Sequence, residues 1–356
     1  MSASRLIFPE SPLHNRKTLD FMEKRKLWPA LQPSTSPLVG RTLGAPAAGE
    51  AEAVEKHKVW LWVDPTRRCN LSCELCYTKL SHAQEDLSPE DFEAILDNVE
   101  ADPSLEINLV HLNWRGEPLL NPRFTELLDV LARRPRQLPA HWHTNGTIIH
   151  PRLAAAIVAH SGPQMIYVSI DGGSERVHDA NRGRGTFRSS ISGAWTLLRA
   201  REAAGREDGN PRIGIYQLEM GVAAEDYDPE FLELAAAVDE WIRIDPVVSD
   251  GSDTPVELRS EPDGRRVIAN RREAAADPLD WGACFWAGNA LCVAPNGDVS
   301  VCLLSHSRTG VVGNLVREPA GVVVGRARAF RERLEAEKRR GVGHCTGCQK
   351  SCGDAF

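Results

Sequence analysis

Three cysteines within eight residues, Cys69, Cys73 and Cys76 in "RRCNLSCELCY", form a C-x-x-x-C-x-x-C triplet with no fourth thiol nearby. Zinc sites favour paired C-x-x-C units that together supply four ligands. A triplet leaves one coordination position empty. On a cubane iron–sulfur cluster three thiolates hold three irons and expose the fourth, which can then bind a cofactor and pass it an electron. The other six cysteines (284, 292, 302, 345, 348 and 352) all lie beyond residue 280, with none between Cys76 and Cys284. An odd total of nine, gathered in two groups in a chain without a signal peptide, argues against a disulfide framework and for metal binding. The sequon Asn145–Thr147 is then a chance match.

The elements that must position these thiols follow from hydrophobic patterning. Residues 1–57 are rich in Pro, Ala and charge and read as an N-terminal extension or linker. From "KVWLWVDPT" onward, buried-strand runs alternate with amphipathic helices, among them 89–100 with Ser88 as cap, about six times up to residue 250. Alternation of this kind implies parallel strands covered by helices, here an α/β partial (β/α)6 barrel with ligands at the carboxyl ends of its strands. The triplet directly follows the first strand. Residues 251–282 are polar and read as a connector. Residues 283–356 form a second, cysteine-bearing module opened by the hairpin signal "ALCVAPNGDVSVCLL". A net charge of −7 speaks against a broad nucleic-acid or anionic-membrane surface. No h-region or membrane-length apolar run is present, so a cytoplasmic enzyme is expected, with neither nucleic acid nor membrane as partner.

Beyond the triplet, "WRGEPLLNP" (114–122), "HTNGT" (143–147) and "VSIDGGSERVHDANRGRGTF" (168–187) occur in order along 58–250. Together they resemble the radical S-adenosylmethionine (radical SAM) superfamily. The resemblance implies that Cys69, Cys73 and Cys76 ligate a [4Fe–4S] cluster and that Gly116 and Glu117 hold the methionine ammonium. It further implies that Ser169 contacts ribose or carboxylate, that Arg182 contacts the carboxylate, and that Asn145 supports the adenosyl region. The implied chemistry is reductive cleavage of S-adenosylmethionine and hydrogen abstraction by a 5′-deoxyadenosyl radical, in a site shielded from water. Two positions depart from the family pattern: Leu75 stands where an aromatic residue usually precedes the third cysteine, and Arg115 replaces the first glycine before the glutamate.

The C-terminal cysteines resemble the Twitch module, a shortened relative of the SPASM domain. Cys284 and Cys302 flank the hairpin as C-x12-G-x4-C, with Gly297 at its turn, and Cys345 and Cys348 close the set. The resemblance implies one auxiliary [4Fe–4S] cluster on these four. The same donor set also suits structural zinc, so a zinc-stabilised binding protein without catalysis stays open. Cys292 reads as a buried thiol. Cys352 is a surplus thiol, a replacement ligand or, in an epimerase, a hydrogen-atom donor.

For the substrate, the strand ends offer His141 and His143, Gln217 and Glu219, and Arg243 and Asp245, each pair on one face of its strand. These suit a small polar molecule such as a sugar, aminocyclitol or nucleoside. Residues 1–57 look too short and too rich in Pro and Ala for a leader-binding module, which favours that class. The expected reaction is oxidation, epimerisation or decarboxylation in antibiotic or other natural-product biosynthesis, with Glu219 or His143 as base. A flavodoxin or ferredoxin would be the external electron donor. The alternative is radical epimerisation or crosslinking of a ribosomally made peptide.

Overall fold

The first strand, β1 (His57–Val63), reads HKVWLWV, and Val59, Leu61, Trp62 and Val63 bury both its faces. A computed structural model of the chain describes residues 56–76, 78, 83–206, 209–223, 226–244, 248–249, 255–260, 266–269, 290–302 and 310–340. After β1 come α1 (Pro89–Glu100), β2 (Leu105–His111), α2 (Phe124–Ala132), β3 (Ala140–Thr144), α3 (Pro151–Val158) and β4 (Gln164–Ser169). Two helices follow, α4 (Glu175–Arg182) and α5 (Thr186–Ala203), then β5 (Arg212–Leu218), α6 (Pro229–Ala237) and β6 (Glu240–Ile244). The alternation expected from the sequence is present, with α4 added inside a segment read above only as a motif.

α1 shows how the local rules act. Ser88 Oγ accepts from the Asp91 N–H at 3.0 Å, Pro89 occupies the first turn, and Phe92, Ile95, Leu96 and Val99 form the buried stripe. Strands β1 to β6 pair in parallel in chain order. The sheet stays open, with β6 at one edge, consistent with a partial barrel.

At the other edge the C-terminal segment joins the same sheet. β10 (Ala290–Val293) pairs in parallel with β1, Trp62 opposite Cys292. β11 (Asp298–Ser300) and β12 (Gly313–Asn314) then extend the sheet antiparallel, giving the order β12-β11-β10-β1-β2-β3-β4-β5-β6. The hairpin turn carries Gly297 at φ 84°, where a side chain would be strained. α7 (Ala320–Arg339) packs back on α1. β7 (Val248–Ser249), at the end of the expected core span, forms a separate antiparallel sheet with β8 (Pro255–Ser260) and β9 (Arg266–Ala269), which fall in the expected connector.

One continuous core runs from β1 to α7 on the helix-covered face, including Leu61, Trp142, Val168, Ile215, Val299 and Val323. Alternate residues point to the opposite, inner face: Trp60 and Trp62 from β1, His111 from β2, His141 and His143 from β3, Tyr167 from β4 and Tyr216 from β5. Gly214 leaves room for this row, since a Cβ there would lie 2.7 Å from the Tyr167 ring. Among the described residues no helix is long and apolar enough to cross a membrane.

Candidate functional site

The cysteine loop leaves β1 and is fastened by the ends of its neighbours. Pro65 C=O accepts from Asn121 Nδ2 at 2.7 Å, and Thr66 Oγ1 donates to Asp86 at 2.6 Å. Asn70 Oδ1 accepts from Asn145 Nδ2 at 2.8 Å, while its own Nδ2 donates to Thr147 at 2.9 Å. The Glu74 N–H donates to Asn181 C=O at 2.8 Å and the Leu75 N–H to Asn181 Oδ1 at 2.9 Å. Cys69, Cys73 and Cys76 are left partly exposed on this frame. Burial pushes the Cys69 thiol up to about 11, with Glu117, Cys73 and Cys76 adding in the same direction. Cys73 is raised by burial and opposed by Arg182.

Gly116 packs against the start of this loop: a Cβ would lie 2.2 Å from Thr66 C=O oxygen and 2.6 Å from that of Arg68. Glu117 follows, almost fully buried. Its Oε1 accepts from Thr144 Oγ1 at 2.7 Å and its Oε2 from the Asn145 N–H at 2.7 Å. Burial raises its pKa to about 7, against these donors and Arg182. Arg182, at the end of α4, forms a bidentate pair with fully buried Asp171 at 2.7 and 3.0 Å. Burial alone would raise Asp171; the guanidinium and Asn181 outweigh it and hold the carboxyl below its ordinary range. Ser169 ends β4 on the inner face, on the same side as Tyr167.

The structure thus brings Gly116, Glu117, Asn145 and Arg182 to the cysteine loop. Leu75, in the aromatic position, is buried against Met220, with Val177, Leu218 and Val222 around them. His143 lies on the inner face with its ring centroid 4.4 Å from Tyr216 and 5.1 Å from Tyr167. Burial, His141 and Arg182 hold it well below its ordinary pKa, so it is neutral at pH 7 and a weak base. Glu219 does not join it: the carboxylate pairs with Arg243 and acts on Tyr227. Gln217 is fully buried on the helix side, donating to Tyr227 and accepting from Trp241, so it does not line the inner face. Asp245, Cys284, Cys345, Cys348 and Cys352 lie outside the described residues; Cys302 is described and partly exposed.

Sequence reasoning gave no role to Asn70, Asn121, Asn181, Asp171 or His111. Asp171 pairs with Arg182 inside the segment 168–187 already singled out, whereas the others act through partners far along the chain, so local pattern carries no sign of them. His111 stacks on Trp62 with centroids 3.9 Å apart, and its Nε2 is buried without a partner among the described residues, as is that of His141.

The donor chemistry fits a thiolate-held cubane. Three thiols on one loop repel one another once ionised, which a cationic iron–sulfur core relieves. Among the described residues, no three His, Cys, Asp or Glu side chains are gathered to share a single metal ion. A cubane asks each thiolate for a different iron and tolerates a wider spread.

Comparison with known proteins agrees. The family model "Radical SAM superfamily" matches residues 63–201, and the SPASM model, an iron–sulfur cluster-binding domain, matches 284–349. Mycofactocin maturase MftC of Mycolicibacterium smegmatis is 25% identical over 313 residues, 81% of this chain and 76% of its own. AlbA of Bacillus subtilis, an antilisterial bacteriocin subtilosin biosynthesis protein, is 28% identical over 124 residues, 34% of this chain and 26% of its own. The crystal structure of Streptococcus suis SuiB bound to precursor peptide SuiA shares the fold. Its TM-score is 0.57 at 12% identity, over 94% of this chain and 85% of that one.

These relatives overturn the small polar substrate expected above, and the antibiotic-pathway sugar chemistry with it. The curated relatives reported over 81% of this chain are named mycofactocin maturases. The expectation rested on a module not seen in residues 1–57, and a missing feature does not define a substrate.

Proposed function

The chain belongs to the radical SAM superfamily, with a [4Fe–4S] cluster, S-adenosylmethionine and a SPASM-type auxiliary cluster as its cofactors, and from that premise we propose that it is a maturase of a ribosomally made peptide. One observation carries the reading: similarity to mycofactocin maturases extends over 81% of the chain. When bound, the cluster and S-adenosylmethionine supply a 5′-deoxyadenosyl radical able to take a hydrogen atom from an unactivated carbon.

The chain's own residues bind, orient and shield. Cys69, Cys73 and Cys76 would ligate the first cluster, and Cys302 with Cys284, Cys345 and Cys348 the second. Glu117, ionised, would accept from the methionine ammonium, held in place by Thr144 and the Asn145 N–H. Arg182, oriented by Asp171, would face the carboxylate. Ser169 would contact the ribose. The inner row of His111, His141, His143, Tyr167 and Tyr216 offers the peptide an aromatic wall with neutral hydrogen-bonding nitrogens and keeps water from the radical.

The net outcome we assign to oxidation or epimerisation at a peptide carbon. Epimerisation returns a hydrogen atom, the role proposed for Cys352. The test is anaerobic, dithionite-reduced enzyme incubated with short peptides encoded beside its gene. 5′-Deoxyadenosine and a modified peptide should form together, and neither should form with Cys73→Ala. In deuterated water, solvent deuterium at the modified carbon marks epimerisation and its absence marks oxidation. Cofactor cleavage with no modification of any encoded peptide sinks the maturase reading.

A further inference from the structure

His178, Asn181 and Arg182 stand at i, i+3 and i+4 on α4, so one face of the helix carries all three. They converge on Asp171, which lies just beyond the end of β4. The Asp171 N–H donates to His178 Nδ1 at 3.1 Å, and Asn181 Nδ2 donates to Asp171 Oδ2 at 2.6 Å. Arg182 donates to both carboxylate oxygens, from Nε at 2.7 Å and from Nη2 at 3.0 Å. β5 fixes the same stretch from the other side, where the Ile170 and Gly172 N–H groups donate to Tyr216 and Leu218 C=O, each at 3.0 Å. Asp171 is fully buried, while 14% of the Arg182 side chain stays exposed. The opposite edge of the planar fork, with Nη1, is the edge that can meet a second carboxylate.

Asn181 also faces the cysteine loop. Its C=O belongs to the last turn of α4, which the helix leaves without an internal partner, and the Glu74 N–H meets it at 2.8 Å. Its Oδ1 accepts from the Leu75 N–H at 2.9 Å. Glu74 and Leu75 are the residues between Cys73 and Cys76. Fastening α4 to β4 accounts for the bonds to Asp171. It does not account for one side chain reaching from that carboxylate to the loop of thiols. An amide can do both, as acceptor for the loop and donor for the carboxylate; an aspartate in its place would lack the donor.

We propose that Asn181 is the positioning residue for the carboxylate of S-adenosylmethionine: by holding Asp171 from the cysteine loop, it sets the direction of the Arg182 guanidinium. The inference rests on the reading that Arg182 faces that carboxylate. A guanidinium recognises a carboxylate best when its plane is correctly turned. Asp171 sets the plane, and Asn181 sets Asp171 relative to Cys73 and Cys76. Hydrogen bonds within the chain thereby fix the place of the guanidinium relative to the thiols.

The experiment uses the full chain reconstituted with iron and sulfide, with variants compared at matched iron content. Calorimetry gives the Kd of S-adenosylmethionine and that of 5′-methylthioadenosine, which has the adenosyl group but neither ammonium nor carboxylate. Asn181→Ala should weaken S-adenosylmethionine by roughly tenfold, the scale of one hydrogen bond to a charged group, and leave 5′-methylthioadenosine unchanged. Asn181→Asp keeps the acceptor for Leu75 and removes the donor to Asp171. It should retain the parent's iron, show the same selective loss, and serve if the alanine variant fails to fold. Arg182→Gln should lose S-adenosylmethionine selectively too. Adding Asn181→Ala to it should weaken binding no further, because Asn181 acts through that guanidinium. Arg182→Lys, which keeps the charge without the fork, takes its place in the cycle if the glutamine variant does not fold. Equal losses for both ligands, or losses that multiply in the double variant, overturn the proposal and leave the maturase reading intact. An Arg182 variant that binds S-adenosylmethionine like the parent overturns the carboxylate assignment, and the proposal with it.

Discussion

Glu117 is a buried carboxyl whose charge the role proposed for it requires. Burial lifts its pKa from 4.5 to about 7 despite three donors and Arg182. Between those values the folded protein binds a proton that the unfolded chain has lost. The group's contribution to stability is therefore full below pH 4.5 and falls as pH rises toward 7. Cofactor binding runs the other way, because an ammonium prefers the carboxylate. Affinity for S-adenosylmethionine should rise with pH through neutrality, by about tenfold from pH 6 to pH 8. Isothermal titration of the reconstituted enzyme measures this. Glu117→Gln should weaken binding and flatten the profile, and an unchanged slope in that variant would assign the titration elsewhere. The role proposed for this residue could be read from "GEP" because the motif is local. The pairing of Glu219 with Arg243 was not, because β5 and β6 meet only in the folded sheet, and that meeting takes Glu219 away from His143.

At the scale of elements, the cysteine loop is shaped by its neighbours more than by its own sequence. α1 could be read in full from Ser88, Pro89 and the apolar stripe, since capping and 3.6-residue periodicity act within a few residues. α4 was missed because its residues are strongly polar, with His178 and Asn181 buried through hydrogen bonds to other segments. Asn181 has three tasks: its backbone C=O and Oδ1 hold Glu74 and Leu75, and its Nδ2 donates to Asp171 at 2.6 Å. Asn181→Ala should leave the helical circular dichroism intact, lower stability by about 1–3 kcal/mol, and reduce iron bound at the first cluster. Gly116 tests the same frame from the other side. Gly116→Ala drives a Cβ into two backbone carbonyls that cannot swing aside, and overpacking of this kind costs on the order of 1–3 kcal/mol. 5′-Deoxyadenosine formation should fall well below that of the parent at matched iron content, because the displaced atoms belong to the loop that carries the thiols.

The whole molecule is built around β1, the strand both halves of the chain need. The C-terminal cysteine cluster could be read from spacing, but the sheet that receives it could not, since β1 and β10 are far apart in sequence and nothing local announces a parallel partner. Their pairing places Leu61 against Leu291 and Trp62 against Cys292, and Asn98 of α1 holds the C-terminal segment with bonds of 2.7 Å to Leu315 and Glu318 C=O and 3.0 Å from the Ala320 N–H. Val299, Val301, Leu315, Val323 and Leu334 belong to the same apolar cluster as Leu61 and Phe92. An appendage joined by a linker would share neither strand pairing nor core. A chain ending at residue 283 should therefore not persist as a folded barrel. It would expose the hydrogen-bonding edge of β1 with Trp60 and Trp62 beside it, and unpaired apolar edges associate. Size-exclusion chromatography should show aggregates, and circular dichroism a broadened or absent unfolding transition, even when iron and S-adenosylmethionine are supplied. A monomeric, cooperatively melting 1–283 fragment that still cleaves the cofactor would show instead that the parallel seam adds nothing to the core. By the same logic, changes at the seam such as Cys292→Phe should lower the stability of core and module together, in a single transition, because one apolar cluster spans both.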